Sequence, residues 1–158
     1  RHRGEIRQIT RNLNSHVVDL FTVPPPEQIA KGMKLTDHLL EAIRDTVDAT
    51  GGRIALVLLP LKFQLSDTAF ASLVRSAGKP DSTMQLGQPR QQVTAMGRRI
   101  GVPVIDLLPD FRAQTARDTT SLYLEWDGHW NSRGHAFAAG ATVRAMLADS
   151  VLTPVVQR

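Results

Sequence analysis

Apolar residues at Ile6, Ile9, Leu13, Val17 and Leu20 recur at spacings of three and four, which predicts a helical face over residues 3–20. A short strand over residues 17–23 is an alternative for the end of that segment. Pro24, Pro25 and Pro26 stop either element, since none has a backbone N–H to donate. A second helix is predicted from about Glu27, whose carboxylate suits the positive end of a helix. Its stripe is Ile29, Met33, Leu39, Leu40, Ile43 and Val47, with Lys34, Asp37, Glu41, Arg44, Asp45 and Asp48 mostly outside, and Gly51-Gly52 ends it. His38 lies beside the stripe and reads as a surface or boundary histidine.

At Ile54 the pattern changes to an unbroken apolar run, Ile54-Ala-Leu-Val-Leu-Leu59, the signature of a parallel-sheet strand buried on both faces. Residues 66–88 are mixed and long for a connection, so a lid, a substrate loop and an insertion all remain open. Val93, Met96 and Ile100 predict a short helix closed by Gly101, and residues 102–107 a second buried strand. Asp106, near that strand's end, is a rival acid for any site, but reads better as a strand exit leading into a helix cap. A polar connection over residues 113–121 follows. The last helix is predicted from about Ser132 to Ala148, with Ala136, Gly140, Val143 and Leu147, joined by Phe137, Ala139 and Met146, facing a sheet. Residues 150–158 read as a tail. Helices alternating with parallel-type strands give an α/β fold with right-handed crossovers. Two strands make a poor sheet, so further strands are expected from outside this chain.

Composition narrows the function. The 158 residues, 42% of them hydrophobic, suit one domain, here residues 1–158, with a real core. The absence of Cys removes disulfide and thiolate chemistry and leaves the compartment undetermined. No apolar run approaches the ~18 residues of a membrane span. The formal charge of +4 comes from scattered residues, such as Arg1, Arg3, Arg7, Arg11, Arg90, Arg98 and Arg99, with one Tyr, two Trp and five Phe. Single-strand nucleic-acid binding calls for a basic groove interleaved with aromatics, so no nucleic-acid partner is expected.

The densest chemistry lies in Leu122-Tyr-Leu-Glu-Trp-Asp-Gly-His-Trp-Asn-Ser-Arg-Gly134. In extended backbone, Asp127 and His129 would point to the same side, which suits a carboxylate gripping an imidazole whose other nitrogen takes a proton from a hydroxyl. Trp130 would wall the pair from solvent, and Asn131 or Ser132 would cap the next helix. Pro60, Lys62 and Gln64 follow the first strand, at the edge where parallel sheets bind ligands.

Asp127-Gly-His-Trp-Asn-Ser-Arg-Gly-His135 before an Ala-rich helix resembles the C-terminal Asp/His block of SGNH (GDSL-type) hydrolases. It is most similar to the form Asp-x-His-Trp-Asn-x-x-Gly shared with SGNH-like polysaccharide O-acetyltransferases. Residues 54–64 (IALVLLPLKFQ) and 102–107 (VPVIDL) resemble two strands of that subgroup, so the likeness runs from Asp37 to Leu147. The resemblance implies a three-layer α/β/α, flavodoxin-like fold with a parallel sheet of about five strands. It also implies a serine esterase or O-acyl (often acetyl) transferase with a small ester or acylated carbohydrate as substrate. Asp127 and His129 would be the acid/base half of the triad; Lys62, Gln64, Trp130 and Asn131 are substrate-binding candidates. The family's Gly-Asp-Ser nucleophile block and its Gly and Asn oxyanion donors do not occur here. The expectation is that the front of the domain, with its strands, lies in a missing N-terminal half that partners this chain. The alternative is a non-catalytic module that binds carbohydrate or scaffolds a partner. No cofactor and no metal is expected, since Asp127, His129 and His135 come from one local stretch without a known ligand spacing.

Overall fold

The computed structural model describes residues 17–125 and 128–148. Most of the predicted first helix and the tail lie outside them. Residues 17–19 are helical, and Thr22 then forms an antiparallel bridge with Met84. Past the prolines, α1 (Glu27–Ala49) begins where expected. Its half-buried residues are Ile29, Met33, Asp37, Leu40, Glu41, Arg44 and Val47. Two members of the predicted stripe, Leu39 and Ile43, are instead 55% and 49% exposed. The reason is polar: Arg99 grips Asp37 and Glu41, and Arg44 donates to the Ile100 carbonyl at 2.8 Å, so charged residues occupy the contact.

The elements after α1 are β1 (Leu56–Leu58), a 3₁₀ turn (Lys62–Leu65), α2 (Asp67–Ser76), a second 3₁₀ turn (Asp81–Thr83), α3 (Gln88–Ile100), β2 (Val104–Asp106), α4 (Leu108–Arg117) and α5 (Ser132–Ala148). Where a lid or insertion was open, the chain is folded. Ser66 caps α2, Phe70 packs edge-on against Phe21 at 5.4 Å, and Val18 and Val74 are buried. The polar connection expected at residues 113–121 is half helix. Pro109, in the first turn of α4, lacks an N–H only where none is needed. Asp106 takes the structural role: its carboxylate accepts from Leu108 N at 3.0 Å and pairs with Arg90.

The strands pair in parallel, with Leu56, Val57 and Leu58 opposite Val104, Ile105 and Asp106. Strand residues alternate faces, and β2 uses both. Val104 abuts Gly97 and Asp106 meets Arg90, both on α3, whereas Ile105 and the following Leu107 enter a core with Phe111, Leu122, Tyr123, Ala138 and Ala141. Helices therefore cover both faces of the parallel sheet, an α/β fold. Phe111 is fully buried, which contributes about 1.5–3 kcal/mol. Its ring meets those of Tyr123, Trp130 and Phe137 at 6.2, 5.1 and 5.1 Å.

The face of α5 agrees with expectation at Phe137 and Met146, which pack on the core, and differs elsewhere. Gly134, Ala138 and Ala141 are buried, and Ala145 packs on the core, while Val143 and Leu147 are 50% and 63% exposed. The small residues win because they let the helix approach the sheet closely. No helix among the described residues is long and apolar enough to cross a membrane.

Candidate active site

The segments either side of Glu125 to Gly128 form a tight antiparallel pair. Tyr123 bridges Trp130, Leu124 N donates to His129 O at 2.9 Å, and Asn131 N donates to Leu122 O at 3.1 Å. His129 is thereby held near the tip of a hairpin, with its side chain exposed. Asp127 lies outside the described residues.

The hairpin is fastened to the C-terminal end of β1. The Tyr123 hydroxyl donates to the Pro60 carbonyl at 2.7 Å, and Lys62 Nζ donates to the carbonyls of Leu124 and Glu125 at 2.8 and 3.1 Å. Burial pushes the Tyr123 phenol up to about 12, with a hydrogen bond to Trp130 acting the other way. Gln64 is buried and braces the 3₁₀ turn: its Oε1 accepts from Leu61 N at 2.8 Å, while its carbonyl accepts from Arg112 Nε.

The hairpin's other arm is fastened to α5. Asn131 Oδ1 accepts from Gly134 N at 2.9 Å as a helix cap, and Nδ2 donates to the carbonyls of Ser121 and Tyr123. Trp130 stacks on Phe111 at 5.1 Å and meets the exposed His135 edge-on at 5.5 Å. Among the candidates named from the sequence, Lys62, Gln64, Trp130 and Asn131 thus come together around the hairpin that carries His129. Lys62 Nζ, Gln64 Oε1 and the Asn131 amide contact the protein's own backbone, and Trp130 hydrogen-bonds the Tyr123 hydroxyl.

Sequence reasoning passed over three residues. Tyr123 joins the hairpin to the β1 exit. Asp118 and Arg133 pair across its base, and Thr120 N donates to Asp118 at 2.9 Å. The Thr120 N–H and hydroxyl, then Arg133, hold the Asp118 carboxyl at about 2. The signal for Tyr123 was its place within the dense stretch; Asp118 and Arg133 gave none, being ordinary surface residues until the fold pairs them.

Several serines are already engaged. Ser66 caps α2, Ser76 donates to the Leu73 carbonyl, and Ser121 both donates to Tyr123 O and accepts from Tyr123 N. No group of three or more His, Cys, Asp or Glu side chains among the described residues is placed to hold a metal ion.

An exposed imidazole at the carboxyl end of a parallel sheet, on a hairpin fixed from both sides, is an arrangement suited to proton transfer at the sheet's edge. Comparison with known proteins gives one family: the model of the SGNH hydrolase-like domain of the acetyltransferase AlgX matches residues 25–155. No curated protein and no solved structure matches the chain.

Proposed function

The chain belongs to this SGNH hydrolase-like family, and from that premise we propose that it is the acid/base portion of a serine O-acyltransferase, acetyl being the group moved and a sugar hydroxyl the acceptor. The observation that carries this reading is His129, exposed on a hairpin clamped between the β1 exit and the α5 start.

In this reading a serine from a segment outside the described residues attacks the ester carbonyl while His129 takes the hydroxyl proton. The tetrahedral intermediate collapses, and the leaving alcohol departs with the proton from His129. The acceptor hydroxyl then gives its proton to His129 and attacks the acyl-serine; the bond to the serine oxygen breaks, and that oxygen leaves with the proton from His129, giving the new ester, the serine and a neutral imidazole. Water in place of the acceptor turns the same cycle into ester hydrolysis. Asp127 is assigned the orienting role on His129. Trp130 and Asn131 fix the hairpin, and the substrate lies over it. The segment that brings the serine is assigned to the same domain, seated against the edge of β1 that carries no strand among the described residues.

The test is fluorophosphonate labelling with peptide mapping on the full-length protein, alongside acetyl-ester turnover. His129→Ala should cut both labelling and turnover by about 10²–10⁴-fold. Labelling and turnover unchanged by that substitution would sink the assignment, and tight carbohydrate binding without turnover would point instead to a binding module.

A further inference from the structure

Lys62 is a cationic side chain placed against the outgoing arm of the hairpin where it starts to bend, and its contacts describe a task. Its Nζ reaches two consecutive carbonyls, Leu124 O at 2.8 Å and Glu125 O at 3.1 Å. Successive residues of an extended strand point their groups to opposite sides, so two consecutive carbonyls on one ammonium mean that the chain leaves its strand geometry at this point. Leu124 is the residue whose N–H donates to the His129 carbonyl. The ammonium thus holds the backbone one hydrogen bond away from the proposed base.

The lysine is itself held. It opens the 3₁₀ turn that Gln64 and Leu61 close, and Arg112 ties that turn to α4 by donating to the Gln64 carbonyl at 2.8 Å and pairing with Asp67. The Tyr123 hydroxyl on Pro60 supplies a second, neutral attachment to the same β1 exit. Tyr123 fixes the buried arm of the hairpin, which leaves Lys62 to fix the bend that follows it.

We infer that Lys62 is a positioning residue, whose ammonium sets the hairpin bend and through it the place of the His129 imidazole, rather than a group that grips substrate. This rests on the proposed role of His129. A displacement of about 1 Å at a reacting group costs on the order of 10²-fold in rate, so loss of the tether should fall on kcat.

The experiment compares wild type, Lys62→Met and Lys62→Arg in the full-length protein by acetyl-ester kinetics and by hydrogen–deuterium exchange over residues 122–131. Lys62→Met should lower kcat by about 10- to 100-fold, leave KM within about twofold and speed exchange at residues 124–129. Lys62→Arg, which keeps donors over the carbonyls, should recover most of both. A raised KM with unchanged kcat would make Lys62 a substrate contact and overturn the inference, as would unchanged exchange in Lys62→Met. An inactive wild type would defeat the proposed function alone, because the exchange comparison still decides the tether.

Discussion

At the residue scale the site depends on one missing methyl group. A Cβ on Gly134 would stand 2.1 Å from Leu122 O and 3.0 Å from Trp130 Cβ. The obstructing atom is backbone and cannot swing aside, so α5 would have to move away from the hairpin and from its cap at Asn131. Gly134→Ala should therefore destabilise by about 1–3 kcal/mol and lower ester turnover. Gly140→Ala, whose new methyl meets only the end of the Arg144 side chain at 3.4 Å, should be neutral or stabilising. Chemical denaturation of the two variants checks this, and equal midpoints would mean that the α5 start has room to shift. Gly134 was visible in the sequence as part of a motif, but its reason is a contact with a residue twelve positions earlier. Asn131 was legible as a helix cap, and the two carbonyls that occupy its amide were not, since they depend on how the chain folds back.

At the element scale the hairpin is the unit, and Tyr123 is its buried fastening. Burial disfavours the phenolate and pushes the Tyr123 phenol from the usual 10 up to about 12. The folded state therefore prefers the protonated phenol, and the stability this adds is complete below about pH 10 and lost as pH rises from about 10 to about 12. Tyr123→Phe should cost about 0.5–1.5 kcal/mol at neutral pH through the lost bond to Pro60, and should flatten the alkaline fall in thermal midpoint. A variant that loses stability between those pH values as steeply as wild type would show that other groups set the alkaline limb. The start of α1, the end of α3 and the body of α5 were legible because apolar spacing and punctuation agree there. The burying face of α5 was not, because Val143 and Leu147 on one side and Ala138 and Ala141 on the other are all apolar, and periodicity cannot rank them. The start of α4 was legible as a helix cap after the strand exit, but the helix begins at Leu108 and takes Pro109 into its first turn, where no N–H is needed.

At the scale of the whole molecule, the most apolar strand is the least enclosed. Residues 54–59 read as a central strand, yet among the described residues β1 has β2 on one edge and no strand on the other, and Leu59 is 61% exposed. Leu56 N donates to Pro103 O and Leu58 O accepts from Leu107 N, so residues 56 and 58 spend their backbone groups on the β2 side. The alternation of a parallel ladder then turns the Val57 N–H and carbonyl to the other edge. An unpaired edge this apolar is an aggregation hazard unless something covers it, and a strand of the same domain is the cover proposed above. Proline separates the cases, since a sheet tolerates it only where no ladder bond is needed. If a strand pairs with β1 in the full-length protein, Val57→Pro should cost about 1–3 kcal/mol and abolish turnover, and the wild-type Val57 amide should exchange slowly. If the edge stays open, the wild-type Val57 amide should exchange freely, the substitution should cost only the packing of the Val57 side chain on the core, and the serine must then arrive by a route other than a strand beside β1.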